Sequence, residues 1–267
     1  MFSRTITLTS AIAVAAAVCF LGTAPAYAAS KKVSGAEFEA LKAQVEQNTA
    51  DVAAVLEAFP PKRVFVTSEI FTGDLGAELD ALTSGARVAT GIAAGDEICQ
   101  ELAEKAELSG EYKAWLGGTD VADTPLERFV HSPVEYVDTT GAVFAESWED
   151  LVGGNILVPL NVDEYQITVP GLGDGPANGY VFTSVSAEGG VNERTHTHFA
   201  PIFERVATDC LGWTFGGGDD PTGPDHRGPH LGVWGESFST DGDWTSAFSG
   251  DCSGNSGDGA HLYCFEQ

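Results

Sequence analysis

Hydrophobic side chains recur in alternating steps of three and four residues early in the chain. The positions of this series, one of which is polar, are Phe38, Leu41, Val45, Asn48, Val52, Val55 and Phe59. Such spacing predicts a coiled-coil helix with a seam three heptads long. Ser34 and Glu37 form a capping box before it, and prolines at positions 60 and 61 end it. Residues 29–61 are therefore predicted to form a bounded oligomerisation helix.

A helix of this kind needs a partner for its apolar seam. At about 1.5 Å per residue, residues 38–59 span roughly 33 Å, too long for an isolated helix to keep that seam dry. Asn48 costs stability within the seam but fixes the register, and Leu56 widens the apolar stripe beyond that of a strict dimer. We predict a homotrimer through residues 38–59, with a dimer as the next choice. The alternative is a single amphipathic helix packed on its own domain.

Shorter patterns follow the double proline. An apolar, β-branched stretch at residues 64–67 predicts a first strand, residues 73–85 are rich in turn formers, and Asp96 is predicted to cap a helix. Residues 112–116 alternate, which places Trp115 and Tyr112 on opposite faces of a strand. Further strands are predicted at residues 134–137, 142–144, 156–160, 179–185 and 260–265.

Beyond residue 171 the chain is punctuated by Gly, Asp, Ser and Pro, which predicts long loops with strands only at residues 179–185 and 260–265. Helices and strands mix along the chain without an internal repeat. We therefore predict a single α+β domain over residues 62–267.

Residues 1–28 have the parts of a secretory signal peptide. A basic residue precedes an apolar stretch at residues 11–21, and Ala-Tyr-Ala at residues 26–28 fits the small-residue cleavage rule. The mature chain is predicted to begin near Ala29, so Cys19 leaves with the signal. No later stretch reaches the roughly 20 apolar residues of a membrane span. We expect a secreted or cell-surface protein, with the periplasm as the alternative.

Charge narrows the classes of partner. The chain holds 13 basic and 39 acidic residues, a formal net charge of -26 at pH 7. Such a surface repels phosphate backbones, so nucleic acid is not expected as a partner. Solvation and salt tolerance are the simplest reasons for the charge, and binding of divalent cations stays open.

Four cysteines remain in the predicted mature chain, namely Cys99, Cys210, Cys252 and Cys264. An even number in an exported chain predicts two disulfides, for which three pairings exist. Position along the chain favours a nested pairing of Cys99 with Cys264 and of Cys210 with Cys252. This pairing would join the first helix of the domain to its last strand and pin a long loop.

Several segments taken together resemble one family. They are residues 98–99 and 108–116, residues 143–151, Cys210-Leu211-Gly212-Trp213 and Leu262-Tyr263-Cys264-Phe265-Glu266. This set resembles the endostatin domain at the end of certain collagens, and looks even closer to related secreted bacterial domains. Both have the C-type-lectin-like architecture, in which two helices flank a small sheet and nested disulfides hold a long loop. The resemblance implies that fold for residues 62–267 and the nested pairing.

The sequence departs from the metal sites of that architecture. The first calcium-binding triplet of sugar-binding C-type lectins is absent. Near the place expected for the second triplet the chain reads Trp244-Thr245-Ser246, which lacks the ligand side chains. No histidine precedes His131 in the domain, so the endostatin zinc site has no counterpart. Calcium-dependent sugar capture of the usual kind is therefore not expected.

Two other groups of side chains have the chemistry of metal ligands. The candidate ligands are His196, His198, Asp219, Asp220 and Asp225. The two histidines alternate and would share one side of an extended segment, a spacing found in zinc sites. The three aspartates lie in a Gly/Pro-rich loop that could bind calcium, although no twelve-residue calcium loop is present. Solvated side chains in a loop are the simpler interpretation of both groups.

Aromatic side chains in the second half indicate a binding surface. If exposed, Trp213, Trp234 and Trp244 could stack on a sugar ring or contact a protein, with avidity from three copies on one stalk. No nucleophile elbow, phosphate loop or dinucleotide fingerprint is present, and an enzyme is not expected. We predict a secreted, trimeric, non-enzymatic binding module for a glycan or extracellular protein. The alternatives are a structural component of an envelope or matrix and a metal-dependent hydrolase.

Overall fold

A computed structural model gives the structure of residues 34–154, 156–170, 179–192, 209–216, 231–252 and 259–267. The chain divides into two compact units, residues 1–58 and residues 59–267. The signal peptide predicted for residues 1–28 lies outside the described residues. None of the helices in the described part of the chain is long and apolar enough to cross a membrane.

Helix α1 spans Gly35–Ala58 in the first unit. The capping box closes its start, since the Ser34 N–H donates to Glu37 Oε2 over 2.7 Å and the Glu37 N–H donates to Ser34 Oγ over 3.2 Å. The bond from the Ser34 N–H and, after it, the interaction with the Ser34 hydroxyl lower the pKa of the Glu37 carboxyl. Phe38, Leu41 and Val45 are each more than half exposed, so the first turns present an apolar seam.

The eight strands of the described residues form one mixed sheet in the second unit. They are β1 (Lys62–Val66), β2 (Tyr112–Ala114), β3 (Tyr136–Asp138), β4 (Val143–Ala145), β5 (Tyr180–Phe182), β6 (Leu231–Glu236), β7 (Phe248–Asp251) and β8 (His261–Glu266). Their order is β4-β3-β1-β8-β5-β6-β7, and β2 also pairs with β8. The pairs β1·β3 and β5·β8 are parallel, and the other pairs are antiparallel.

Strand β8 is the centre of this sheet. Its Cys264 lies opposite Phe65 of β1 and opposite Ala114 of β2, and its Leu262 lies opposite Phe182 of the parallel strand β5. Five consecutive residues of β8 are buried, because the sheet is covered on both faces along this strand. The last strand of the chain therefore joins the two halves of the sheet.

Short and medium helices flank the sheet. They are α2 (Leu75–Thr83), α3 (Ile92–Lys105), α4 (Pro125–Arg128), α5 (Trp148–Leu151), α6 (Cys210–Trp213) and α7 (Asp243–Ser246), with a 3-10 turn at Val121–Asp123. Together with the sheet they make the unit α+β, the predicted fold class.

Two apolar cores lie on the opposite faces of the sheet. Tyr112 and Ala114 belong to the core under α2 and α3, whereas Trp115 belongs to the core that includes Trp244. The predicted alternation of this strand is thus confirmed. Trp115 is fully buried, its ring lies 5.2 Å from that of Trp244, and its indole N–H donates to Thr245 Oγ1 over 2.7 Å.

The disulfides join Cys99 to Cys264 and Cys210 to Cys252, the predicted nested pairing. The first bond ties α3 to β8, and the second ties α6 to the end of β7. Helix α6 is a left-handed turn, since Cys210, Leu211 and Trp213 all have φ between 51° and 62°. Because left-handed backbone costs about 1–2 kcal/mol per non-glycine residue, this turn depends on the covalent bond and on buried packing.

Four element predictions are wrong. Helix α3 begins at Ile92, so Asp96 is not its N-cap; its carboxylate accepts from Arg128 Nη2 over 2.7 Å and from the Ala114 N–H over 2.9 Å. Residues 156–160 form no strand, because their backbone bonds go to separate segments. Helix α2 occupies most of residues 73–85, which were predicted to form turns. Strands β6 and β7 lie beyond residue 171, where long loops were predicted.

Candidate functional site

A tight hairpin at residues 162–168 presents two apolar side chains. Oδ1 of Asp163 accepts the N–H groups of Tyr165 and Ile167, each over 2.8 Å, and Gln166 takes a φ of 67°. An aspartate that binds backbone two and four residues ahead is a common way to fix such a turn. Tyr165 is 49% exposed and Ile167 is 62% exposed, so a rigid turn holds both at the surface.

The next acidic residue ties this hairpin to the end of β1. Oε2 of Glu164 accepts the Ser68 N–H over 2.9 Å, and Oε1 accepts the Ser68 hydroxyl. Glu164 is buried, and its burial raises the pKa of its carboxyl, an effect that the charge of Asp163 increases and the bonds from Ser68 oppose. Among the described residues, no basic side chain forms an ion pair with Glu164.

The start of β8 lies beside the same segment. Nδ1 of the buried His261 lies 2.6 Å from the carbonyl oxygen of Thr67. A carbonyl only accepts, so Nδ1 carries the proton. Thr67 is bound to β8 twice more, since its N–H donates to the Leu262 carbonyl over 2.9 Å and its hydroxyl accepts the Leu262 N–H over 3.0 Å. The junction of β1 and β8 is therefore fixed by backbone and side-chain bonds.

These features border a groove of about 570 Å³, which we call the Asp163 groove. Its apolar lining is Ile70, Ile167, Val169 and Pro170, and its polar lining includes Ser68, Glu69, Asp163 and His261. The groove is open to solvent rather than enclosed, so it suits an extended ligand that lies along the surface better than a small molecule that is engulfed.

The charge around the groove is negative. Burial raises the pKa of the Tyr165 phenol, and the carboxylates of Glu164, Glu69 and Asp163 raise it further. Three carboxylates from two segments of the chain therefore lie close enough to act on the phenol. A positively charged group would be stabilised at the same place.

The structure does not support the three tryptophans as ligand-binding residues. Trp213 and Trp244 are 0% exposed, and Trp234 is 1% exposed. The Trp213 indole N–H donates to the Gly117 carbonyl over 2.9 Å inside the core under α2 and α3. The prediction that these rings face a ligand is corrected, because all three are needed to fill the cores on the two faces of the sheet.

The predicted metal ligands lie outside the described residues. These are His196, His198, Asp219, Asp220 and Asp225. Within the part of the chain that the structure describes, no group of three or more His, Cys, Asp or Glu side chains could hold a metal ion. The zinc and calcium hypotheses therefore gain no further observation.

Sequence reasoning missed the Asp163 groove because its walls are distant along the chain. Ser68 and Glu164 are 96 residues apart, and Thr67 and His261 are 194 apart. One local signal was present: three of the four residues between Val162 and Ile167 are polar or charged, namely Asp163, Glu164 and Gln166, which is the composition of a tight turn. That signal locates the hairpin but not the segments that face it.

No protein-family model matches this chain, and a search of curated proteins finds no match.

Proposed function

We propose that the protein is a secreted, non-enzymatic recognition module for a glycan or extracellular protein, carried on a C-type-lectin-like domain. The observation that carries the proposal is the nested pair of disulfides on a sheet whose first and last strands, β1 and β8, lie side by side and antiparallel. In that architecture the chain leaves the paired terminal strands and returns to them, and the inner disulfide holds the intervening loop.

A covalently fixed frame suits recognition of ligands outside the cell. Disulfides persist in oxidising compartments, and a rigid site loses little conformational entropy when it binds. The Asp163 groove meets these requirements, because the β1 and β8 segments beside it are joined by three hydrogen bonds through Thr67. It is the ligand site that we assign to the module.

We further propose that helix α1 assembles three copies of the chain. The support is the heptad seam, whose Phe38, Leu41 and Val45 are more than half exposed in the single chain. Weak contacts at one groove would then gain avidity from three copies. Asn48 at a seam position is expected to fix the register of the trimer at some cost in stability.

Two experiments test these proposals. Light scattering on the purified mature protein should give three times the mass of one chain; Val45→Asp should give a monomer, and Glu46→Ala, outside the seam, should keep the trimer. The same protein should then bind particular members of an array of glycans and extracellular-matrix proteins. The array is measured once with and once without a calcium chelator. A trimer that binds no member of the array would favour the structural alternative.

A further inference from the structure

One carboxylate oxygen in the Asp163 groove is left without a hydrogen bond. Oδ1 of Asp163 takes both backbone N–H groups of its turn, and Oδ2 accepts none from the residues that the structure describes. The side chain is only 4% exposed, yet it lines the groove. Solvent still reaches Oδ2, so a ligand that enters the groove with a charged donor can replace the water at this oxygen.

No cationic side chain lines the groove within the part of the chain that the structure describes. Its described lining contains two carboxylates, Glu69 and Asp163, and no lysine or arginine. The buried Glu164 adds a third carboxylate behind Ser68. No ion pair among the described residues involves any of these three. The complementary group is therefore an ammonium or a guanidinium, which is charged and carries only donors.

The apolar walls add a second requirement. Ile70, Ile167, Val169 and Pro170 line the groove, and Ile167 is 62% exposed in the absence of a ligand. Lysine and arginine meet both requirements, since their aliphatic stems pack on apolar surface while their heads stay polar. The volume of about 570 Å³ is larger than one such side chain needs and leaves room for an apolar neighbour.

We propose that the Asp163 groove binds a short segment of a partner protein in which a lysine or arginine stands next to apolar residues. This inference rests on the proposed recognition function and names the class of its partner. The net charge of -26 would also attract such a basic partner at long range. A neutral glycan brings no charge to the carboxylates and is the less complementary ligand.

The test uses the full mature protein and a fluorescent eight-residue peptide of alternating Lys and Leu, with acetyl-lysine and glutamate versions as controls. Fluorescence polarisation is read at low and high salt for the wild type, Glu69→Gln, Ile167→Ser and Glu135→Gln. Glu135 is the matched control for charge. Its carbonyl accepts the Lys62 N–H at the far end of β1, six residues from Ser68 and thus about 20 Å away along the strand.

We expect the Lys-Leu peptide to bind and both control peptides to fail. Glu69→Gln should weaken binding about threefold, as the loss of one partly exposed charge pair does. Ile167→Ser should weaken binding about fivefold at both salt concentrations, because apolar contact is not screened. Glu135→Gln should change it less than about twofold.

Equal losses in Glu69→Gln and Glu135→Gln would show unspecific attraction to an acidic surface and overturn the proposal. So would binding that Ile167→Ser leaves unchanged, or no binding of the peptide at all. If the peptide fails while array members still bind, the inference falls and the recognition function stands. If neither the peptide nor the array binds, both fall.

Discussion

Removing the outer disulfide, Cys99–Cys264, should cost more stability than removing the inner disulfide, Cys210–Cys252, although the two cysteine pairs are equally buried. The perturbation is a pair of double variants, Cys99→Ala with Cys264→Ala and Cys210→Ala with Cys252→Ala. All four residues are 0% exposed, so each double variant removes two buried sulfur atoms and leaves similar small cavities. The variants then differ in the length of the loop that each bond closes and in the left-handed turn at Cys210, which only the inner bond holds.

The sequence separations are 165 for the outer bond and 42 for the inner one. The chain-entropy model gives stabilisation of about 5 kcal/mol for the first loop and about 4 kcal/mol for the second. Each value is comparable to the whole free energy of unfolding of many domains, about 5–15 kcal/mol. Because the stabilisation depends on the logarithm of the loop length, the two disulfides differ by only about 1 kcal/mol.

Urea unfolding of both variants and the wild type, followed by tryptophan fluorescence, measures these differences. All five tryptophans lie in the domain, and four of them are fully buried, so unfolding should change the signal strongly. The outer variant should have the lower free energy of unfolding, to the point of being unfolded without urea. An inner variant less stable than the outer one would refute the loop-entropy argument and place the main stabilisation in the left-handed turn around Cys210.

Three further predictions concern single positions. Gly235→Ala should destabilise by more than about 3 kcal/mol in urea unfolding, since its Cβ would overlap the backbone carbonyl of Trp244. Thr245→Val should cost about 1–3 kcal/mol in the same assay, because the buried indole N–H of Trp115 loses its acceptor. Burial raises the pKa of Glu164 above its unfolded value, so the wild type should lose stability relative to Glu164→Gln as pH rises from about 4 to 7; a pH-independent difference would contradict this.

Local patterns predicted the parts of the fold that local chemistry decides. The capping box at Ser34 closes α1 because both of its partners lie within one turn of each other. The alternation through Tyr112 and Trp115 placed two side chains in the correct opposite cores because a strand has a side-chain period of two. Four cysteines leave only three pairings, and their positions favoured the one that forms.

The wrong predictions concern residues whose positions are determined by tertiary contacts. Asp96 has the residue type of a helix cap, but Arg128 and the Ala114 N–H hold its carboxylate inside α3. Trp213 and Trp234 stand in a glycine-rich region, which suggested exposed rings. Residue composition does not reveal that Trp213 lies at the end of the short helix α6 and Trp234 on β6, where both rings pack in the core.

The placement of the Asp163 groove links its binding capacity to the covalent frame. The strand that carries His261 beside the groove also carries Cys264, three residues further along, where the outer disulfide joins it to α3. Thr67 connects the same strand to β1 immediately before Ser68, the residue that holds Glu164. Only a few hydrogen bonds thus separate the outer disulfide from the groove. For this reason the affinity of the groove should depend on oxidation of the protein even though neither sulfur touches the ligand.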